Sequence, residues 1–138
     1  MVHSISIETV YLEIGPVRMS FIGYDYPMLE KTILWSEIGI RLASLDDVAC
    51  MKLSAVVSRG TRKDFIDLHF LITQYRPLGE YLNLYRKKYQ NRDIGHVIRS
   101  LVYFADAEKE HDIKTRTPLL WETVKTDFET WVTGLSIP

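Results

Sequence analysis

The chain predicts an α+β fold with its strands first and its helices after. Two observations predict it. Up to about Tyr24, β-branched and aromatic residues alternate around a Gly15–Pro16 turn signal, and from Ser44 onward apolar residues recur at helical spacing. A third sets the scale: 138 residues, 46% hydrophobic and 25% charged, are enough to bury a core without covalent staples.

The strand region begins with ISIETVYLEI, then GP, then VRMSFIGY, which predicts a β-hairpin from Ile5 to Tyr24. Alternation puts Ile5, Ile7, Thr9, Tyr11 and Glu13 on one face. Ser6, Glu8, Val10, Leu12 and Ile14 fall on the other, which turns apolar towards its end and is the expected core face. Pro27, inside YDYPMLEKTILWS, predicts a connecting loop with a short extended piece, and GIRLAS from Gly39 to Ser44 predicts a further strand. The expected sheet is small and mostly antiparallel.

Helices are expected over roughly 45–58, 62–75, 78–89, 94–108 and 118–133. Ser44 is a good N-cap for the first, and Asp46 and Asp47 place negative charge in its first turn, where the helix dipole favours it. The last opens at Pro118 and aligns Leu120, Val124, Phe128 and Trp131 as a core or interface face. Residues 1–138 are expected to form a single domain, with strands and loop over 1–44 and a helical region over 45–138.

Bulk chemistry excludes more than it names. A net charge of −1 gives no overall reason for non-specific binding to nucleic acid. One cysteine, Cys50, allows neither an intrachain disulfide nor a cysteine-built zinc site, and with no targeting segment or membrane span in view it points to a reducing cytoplasm. His69, His96 and His111 lie on separate segments, without the spacing of a metal site. The run YLNLYRKKYQNR, with Tyr81, Tyr85 and Tyr89 in register, is a packing face or a contact for a phosphate backbone; the first is the commoner use of such a stripe.

Lys52 is the first residue that folding alone explains poorly. On the helix from Leu45 the apolar stripe runs through Leu45, Val48, Ala49, Leu53, Val56 and Val57, and Lys52 falls inside it. Either its stem lies along apolar surface while the ammonium reaches water, or the ammonium is aimed into a cleft to meet an anion. In the next helix, KDFIDLHFLI, the apolar surround makes the charges stand out. Asp64 and Asp67, three apart, share one face, with Arg59, Arg62 and Lys63 before or beside them. Thr61 followed by Asp64 also resembles a capping box, which would make Asp64 structural.

The stretch LASLDDVACMKLSAVVSRGTRKDFIDLHFLI resembles the pattern LAS-x-x-D-(I/V)-A-x-M-K-L-x-A-(I/V)-x-x-R-G-x-(R/K)-KDF-(I/V)-DL-x-FL of the AbiEii/AbiGii nucleotidyltransferase-like toxins of type IV toxin–antitoxin systems. A looser likeness extends upstream through VRMSFIGYDYPML and downstream through NLYRKKY to SLVYFADAE. The resemblance implies a partial nucleotidyltransferase-like fold. It implies Lys52 as the contact to nucleotide phosphates and, with Asp64, as the catalytic pair, Asp64 acting in acid/base chemistry or positioning; Arg59, Lys63 and Asp67 support them.

The chain departs from that family where the chemistry needs phosphate and metal binding. It has no paired glycines to open a phosphate-binding turn and no Asp-x-Asp pair, and a third acidic position of the family pattern falls near Ser20, which cannot be a charged metal ligand. The expectation is therefore a truncated or split member, without a metal site and inactive alone. A nucleoside triphosphate and Mg2+ would be cofactors only once a complementary N-terminal half is present. Partners would be that half, a cognate antitoxin, or a second copy joined through an exposed sheet edge. The alternative is a non-catalytic interaction module of a toxin–antitoxin or phage-defence locus.

Overall fold

A computed structural model describes residues 2–5 and 8–136. The strands are β1 (Val2–Ile5), β2 (Thr9–Ile14), β3 (Val17–Ile22), β4 (Ile33–Trp35) and β5 (Ile40–Leu42). The helices are α1 (Leu45–Ser58), α2 (Arg62–Gln74), α3 (Leu78–Tyr89), α4 (Gly95–Ser100), α5 (Ala105–Glu108) and α6 (Trp121–Thr133). The strands-first α+β order is the one expected. The single sheet is instead two: an antiparallel β1-β2-β3 sheet and a separate antiparallel β4-β5 pair.

Gly15 has a φ of 58° and is followed by Pro16, whose ring holds φ negative. That sign pattern turns the chain in two residues and sets Ile14 opposite Val17, Leu12 opposite Met19 and Val10 opposite Phe21. Those six side chains share one wholly apolar face. The expected core face is not in the core: Val10 and Leu12 are half-buried, whereas Ile14 is 62% exposed. Alternation identifies the apolar side of a strand but not what covers it. Ser6 and Ile7 lie outside the described residues. In the second pair, Ile33 faces Leu42 and Trp35 faces Ile40, again an apolar and exposed face.

The core is helical. Ala49, Cys50, Leu53 and Val56 of α1 meet Phe65, Leu68 and Ile72 of α2, Tyr81, Leu82 and Tyr85 of α3, and Val124 and Phe128 of α6. Phe65 is its centre, with the rings of Phe104, Trp121 and Phe128 between 5.3 and 5.9 Å away. Leu45, expected in the α1 stripe, is exposed, and the buried places of that first turn are taken by Asp46 and Asp47.

Two helix predictions need correction. The segment expected as one helix over 94–108 breaks at Leu101–Phe104, with no glycine or proline to mark it. The break lets Leu101 and Ala107 both be buried while Phe104 turns its ring onto Phe65 and Trp121. The last helix starts at Trp121 rather than Pro118, and Leu120 is its exposed N-cap residue. The tyrosine stripe of α3 is a packing face: Tyr81 and Tyr85 are buried, and the Tyr89 ring packs at a tilt against Tyr85, centroids 4.7 Å apart, and edge-on against Tyr26 at 4.8 Å.

Candidate functional site: a lysine–arginine–aspartate cluster on the α1–α2 turn

The α1–α2 turn builds the site. Arg59 closes α1 through an N–H to Ala55 O bond, and Gly60 follows with a φ of 56°, a left-handed residue that lets the chain reverse at once. Thr61 then caps α2, its hydroxyl accepting the Asp64 N–H. The reversal folds the Arg59 guanidinium back over the first turn of α2, five residues on.

Asp64 is the hub. Its carboxylate accepts a two-pronged contact from Arg59, Nε at 2.7 Å and Nη2 at 2.8 Å, and a third bond from the Thr61 hydroxyl at 2.6 Å. The Lys52 ammonium lies 3.5 Å from Oδ1, the oxygen that also accepts from Arg59 Nη2. The Lys52 ammonium also pairs with Asp67 at 2.7 Å. Asp64 is fully buried, while the side chains of Lys52 and Asp67 keep 22% and 36% of their surface in solvent. Asp64 therefore orders the cap of α2 and pairs with both cations.

Electrostatics follow from this packing. Burial pushes the Asp64 carboxyl up, but the bonds from Arg59 and Thr61 and the charges of Arg59 and Lys52 outweigh it and hold it below the usual carboxylate range. The Arg59 guanidinium is correspondingly raised by its bonds to Asp64. Asp64 is held as an anion. Tyr11 of β2 lies within electrostatic reach of Arg59, and Ser20 stands opposite Tyr11 in the sheet.

Of the five residues expected here, Lys52, Arg59, Asp64 and Asp67 come together; Lys63 points to solvent and joins none of the ion pairs among the described residues. Arg62, its neighbour, is the buried one. Its Nη1 bonds Asp112 at 2.6 Å, its Nε bonds Ala107 O at 3.2 Å, its backbone N–H donates to Glu110, and its guanidinium lies 4.9 Å over the Trp121 ring. It clamps α2 to the segment after α5. The three histidines do not gather: His69 is bonded to Asp127 at 2.7 Å, and no metal-binding group of His, Cys, Asp and Glu occurs among the described residues.

Sequence reasoning missed a second charged centre. Asp47 and Lys88, 41 residues apart, form an ion pair at 2.6 Å with both side chains 0% exposed. Asp47 also accepts from Leu29 N, Glu30 N and the Ser44 hydroxyl, and Lys88 donates to Pro27 O at 2.9 Å. The Tyr24 ring lies 5.2 Å from the ammonium. This centre ties the 24–30 loop to α1 and α3. Its only sequence signals were an aspartate one turn into a helix and a lysine beside the tyrosine stripe.

Comparison with known proteins names the family: the model described as the nucleotidyl transferase AbiEii toxin of type IV toxin–antitoxin systems matches residues 3–134, and the chain belongs to this family. An uncharacterized protein of Aquifex aeolicus (strain VF5) is 39% identical over 127 residues, which are 90% of this chain and 60% of that relative. The chain thus spans 60% of the relative's length. No solved structure matches. Among the described residues no helix is long and apolar enough to cross a membrane.

Proposed function

We propose that the chain contributes the helix-pair half of a nucleotidyl-transfer site and does not transfer nucleotides by itself. The observation that carries this reading is the convergence of Lys52, Arg59, Asp64 and Asp67 at one turn, with Lys52 held at the edge of solvent by a buried carboxylate. Transfer of a nucleotidyl group is catalysed chiefly by positioning and by cations that neutralise phosphate charge. In this reading Lys52 leaves Asp67 to meet the phosphates, while Asp64, already saturated by Arg59 and Thr61, is a positioning residue rather than a proton carrier. The phosphate-binding turn and the metal-holding carboxylates come from a complementary segment, and nucleoside triphosphate and Mg2+ bind only when it is present.

A second reading has its own support. The two cations of the cluster are already matched by two carboxylates, as in a purely structural network, and the chain would then be a non-catalytic interaction module, with a cognate antitoxin as one partner.

The deciding experiment is a thermal-shift titration with the four nucleoside triphosphates and Mg2+. It is run on the chain alone and mixed with the part of the Aquifex relative that the chain does not match. The transfer reading expects a shift in the mixture only, lost in Lys52→Met, which removes the charge and keeps the stem. No shift in either sample, or one unchanged in Lys52→Met, leaves the interaction module.

A further inference from the structure

A groove of about 670 Å3 runs between α3, α4 and α6, on helices that carry none of the Lys52 cluster. Its walls are largely apolar: Leu78 and Leu82 of α3, Ile94 and Ile98 at α4, and Trp131 and Leu135 at the end of α6. Two charged side chains line it. Glu80 is already paired with Arg76 at 3.2 Å. Arg86 makes no ion pair or side-chain hydrogen bond among the described residues, and its Nε is shut off from solvent with no acceptor. Tyr81 Oη is also buried without a partner, but it does not line this groove.

We infer that this groove binds a small amphipathic carboxylate, an apolar body carrying one carboxyl group. The volume lies within the range of ordinary ligand sites, whose walls are mostly apolar with a few polar groups that fix orientation. The Nε is enclosed, so a ligand in the groove meets the Nη end of this half-buried guanidinium, which no acid of the described residues engages and which a carboxylate matches by taking two parallel N–H bonds. One unpaired cation on an apolar wall suits one negative charge. A phosphate monoester, carrying closer to two charges, would leave the second without a counter-charge. Seating the carboxylate on Arg86 lays the body along Leu82 and Ile98 towards Trp131.

The test uses decanoate as the probe, with decanol as the control for apolar binding alone, followed by NMR titration of the whole chain. Decanoate is expected to give saturable shifts confined to residues around Leu82, Ile98 and Trp131. Binding should weaken about tenfold or more for decanol and for decanoate with Arg86→Gln, the loss of one charge-assisted contact. Because Arg86→Gln could disturb packing, Asn83→Glu provides an independent arm. Asn83 is exposed, lines the groove and stands three residues before Arg86, so a carboxylate there competes for the guanidinium; measured against the isosteric Asn83→Gln, Asn83→Glu should weaken decanoate about tenfold and decanol far less. Equal binding of decanoate and decanol, unchanged binding in both variants, or the absence of saturable shifts overturns the inference.

Discussion

At the scale of residues, the chain holds two aspartates that burial should penalise and that partners keep ionised. For Asp47, burial pushes the carboxyl up, but N–H bonds from Leu29 and Glu30, the Lys88 ammonium and the Ser44 hydroxyl outweigh it, and the group sits below its ordinary value of 3.8. Asp64 is lowered in the same way. A carboxylate whose folded pKa is depressed adds stability that is present above its unfolded value and lost as pH falls through the folded one. Chemical denaturation followed from about pH 5 to pH 2 should therefore show stability falling below about pH 4, and Asp64→Asn should flatten that fall. Equal slopes for the two proteins would show that Asp64 is not coupled to folding. Removing Asp47 is the harsher change, because it leaves the Lys88 ammonium buried without a counter-charge. Asp47→Ala should cost about 3–5 kcal/mol in a urea melt, and pairing it with Lys88→Met should recover most of that loss.

At the scale of elements, local signals were sufficient where a helix carries its own caps. Ser44 and the α1 stripe placed Leu45–Ser58, and helical spacing placed Leu78–Tyr89, which the structure ends at a left-handed Gln90. The cluster residues were legible for the same reason, since Arg59, Asp64 and Asp67 lie within nine residues and Gly60 dictates how they meet. What was not legible depends on pairings distant in sequence. The break at Leu101–Phe104 answers to Phe65 and Trp121, and Lys88 answers to Asp47. The short extended piece expected after Pro27 is β4, but its pairing with β5 in a sheet of its own is a contact that three residues of sequence could not announce. Arg62 is the clearest case, because spacing grouped it with Lys63 on the charged side of α2 while the fold spends it on α5 and the loop beyond. Its contacts to Ala107, Glu110 and Asp112 predict that Arg62→Met raises amide exchange over residues 107–112 and leaves α1 protected as before. An exchange increase spread evenly over all helices would contradict the clamp.

At the scale of the whole molecule, apolar surface is divided unevenly between the two halves. The helices bury their stripes in one cluster around Phe65. The strands do not: every residue of β3, β4 and β5 is exposed, with Phe21 at 57% and Trp35 at 45%. Burial of apolar area is the dominant favourable term in folding, so stability should reside in the helices. Leu53→Ala, which empties a fully buried site where α1 lies in the core, should cost about 2–5 kcal/mol. Phe21→Lys and Trp35→Lys should each change the unfolding free energy by under about 0.5 kcal/mol, the usual scale for exposed positions. The same substitutions should increase solubility, since contiguous exposed apolar faces and open strand edges drive association. Urea melts of the three variants, with light scattering as a function of concentration, check both halves of this expectation. Should Phe21→Lys instead destabilise as much as Leu53→Ala, the hairpin must be covered in solution, and its apolar face would be part of a core that extends beyond the one drawn around Phe65.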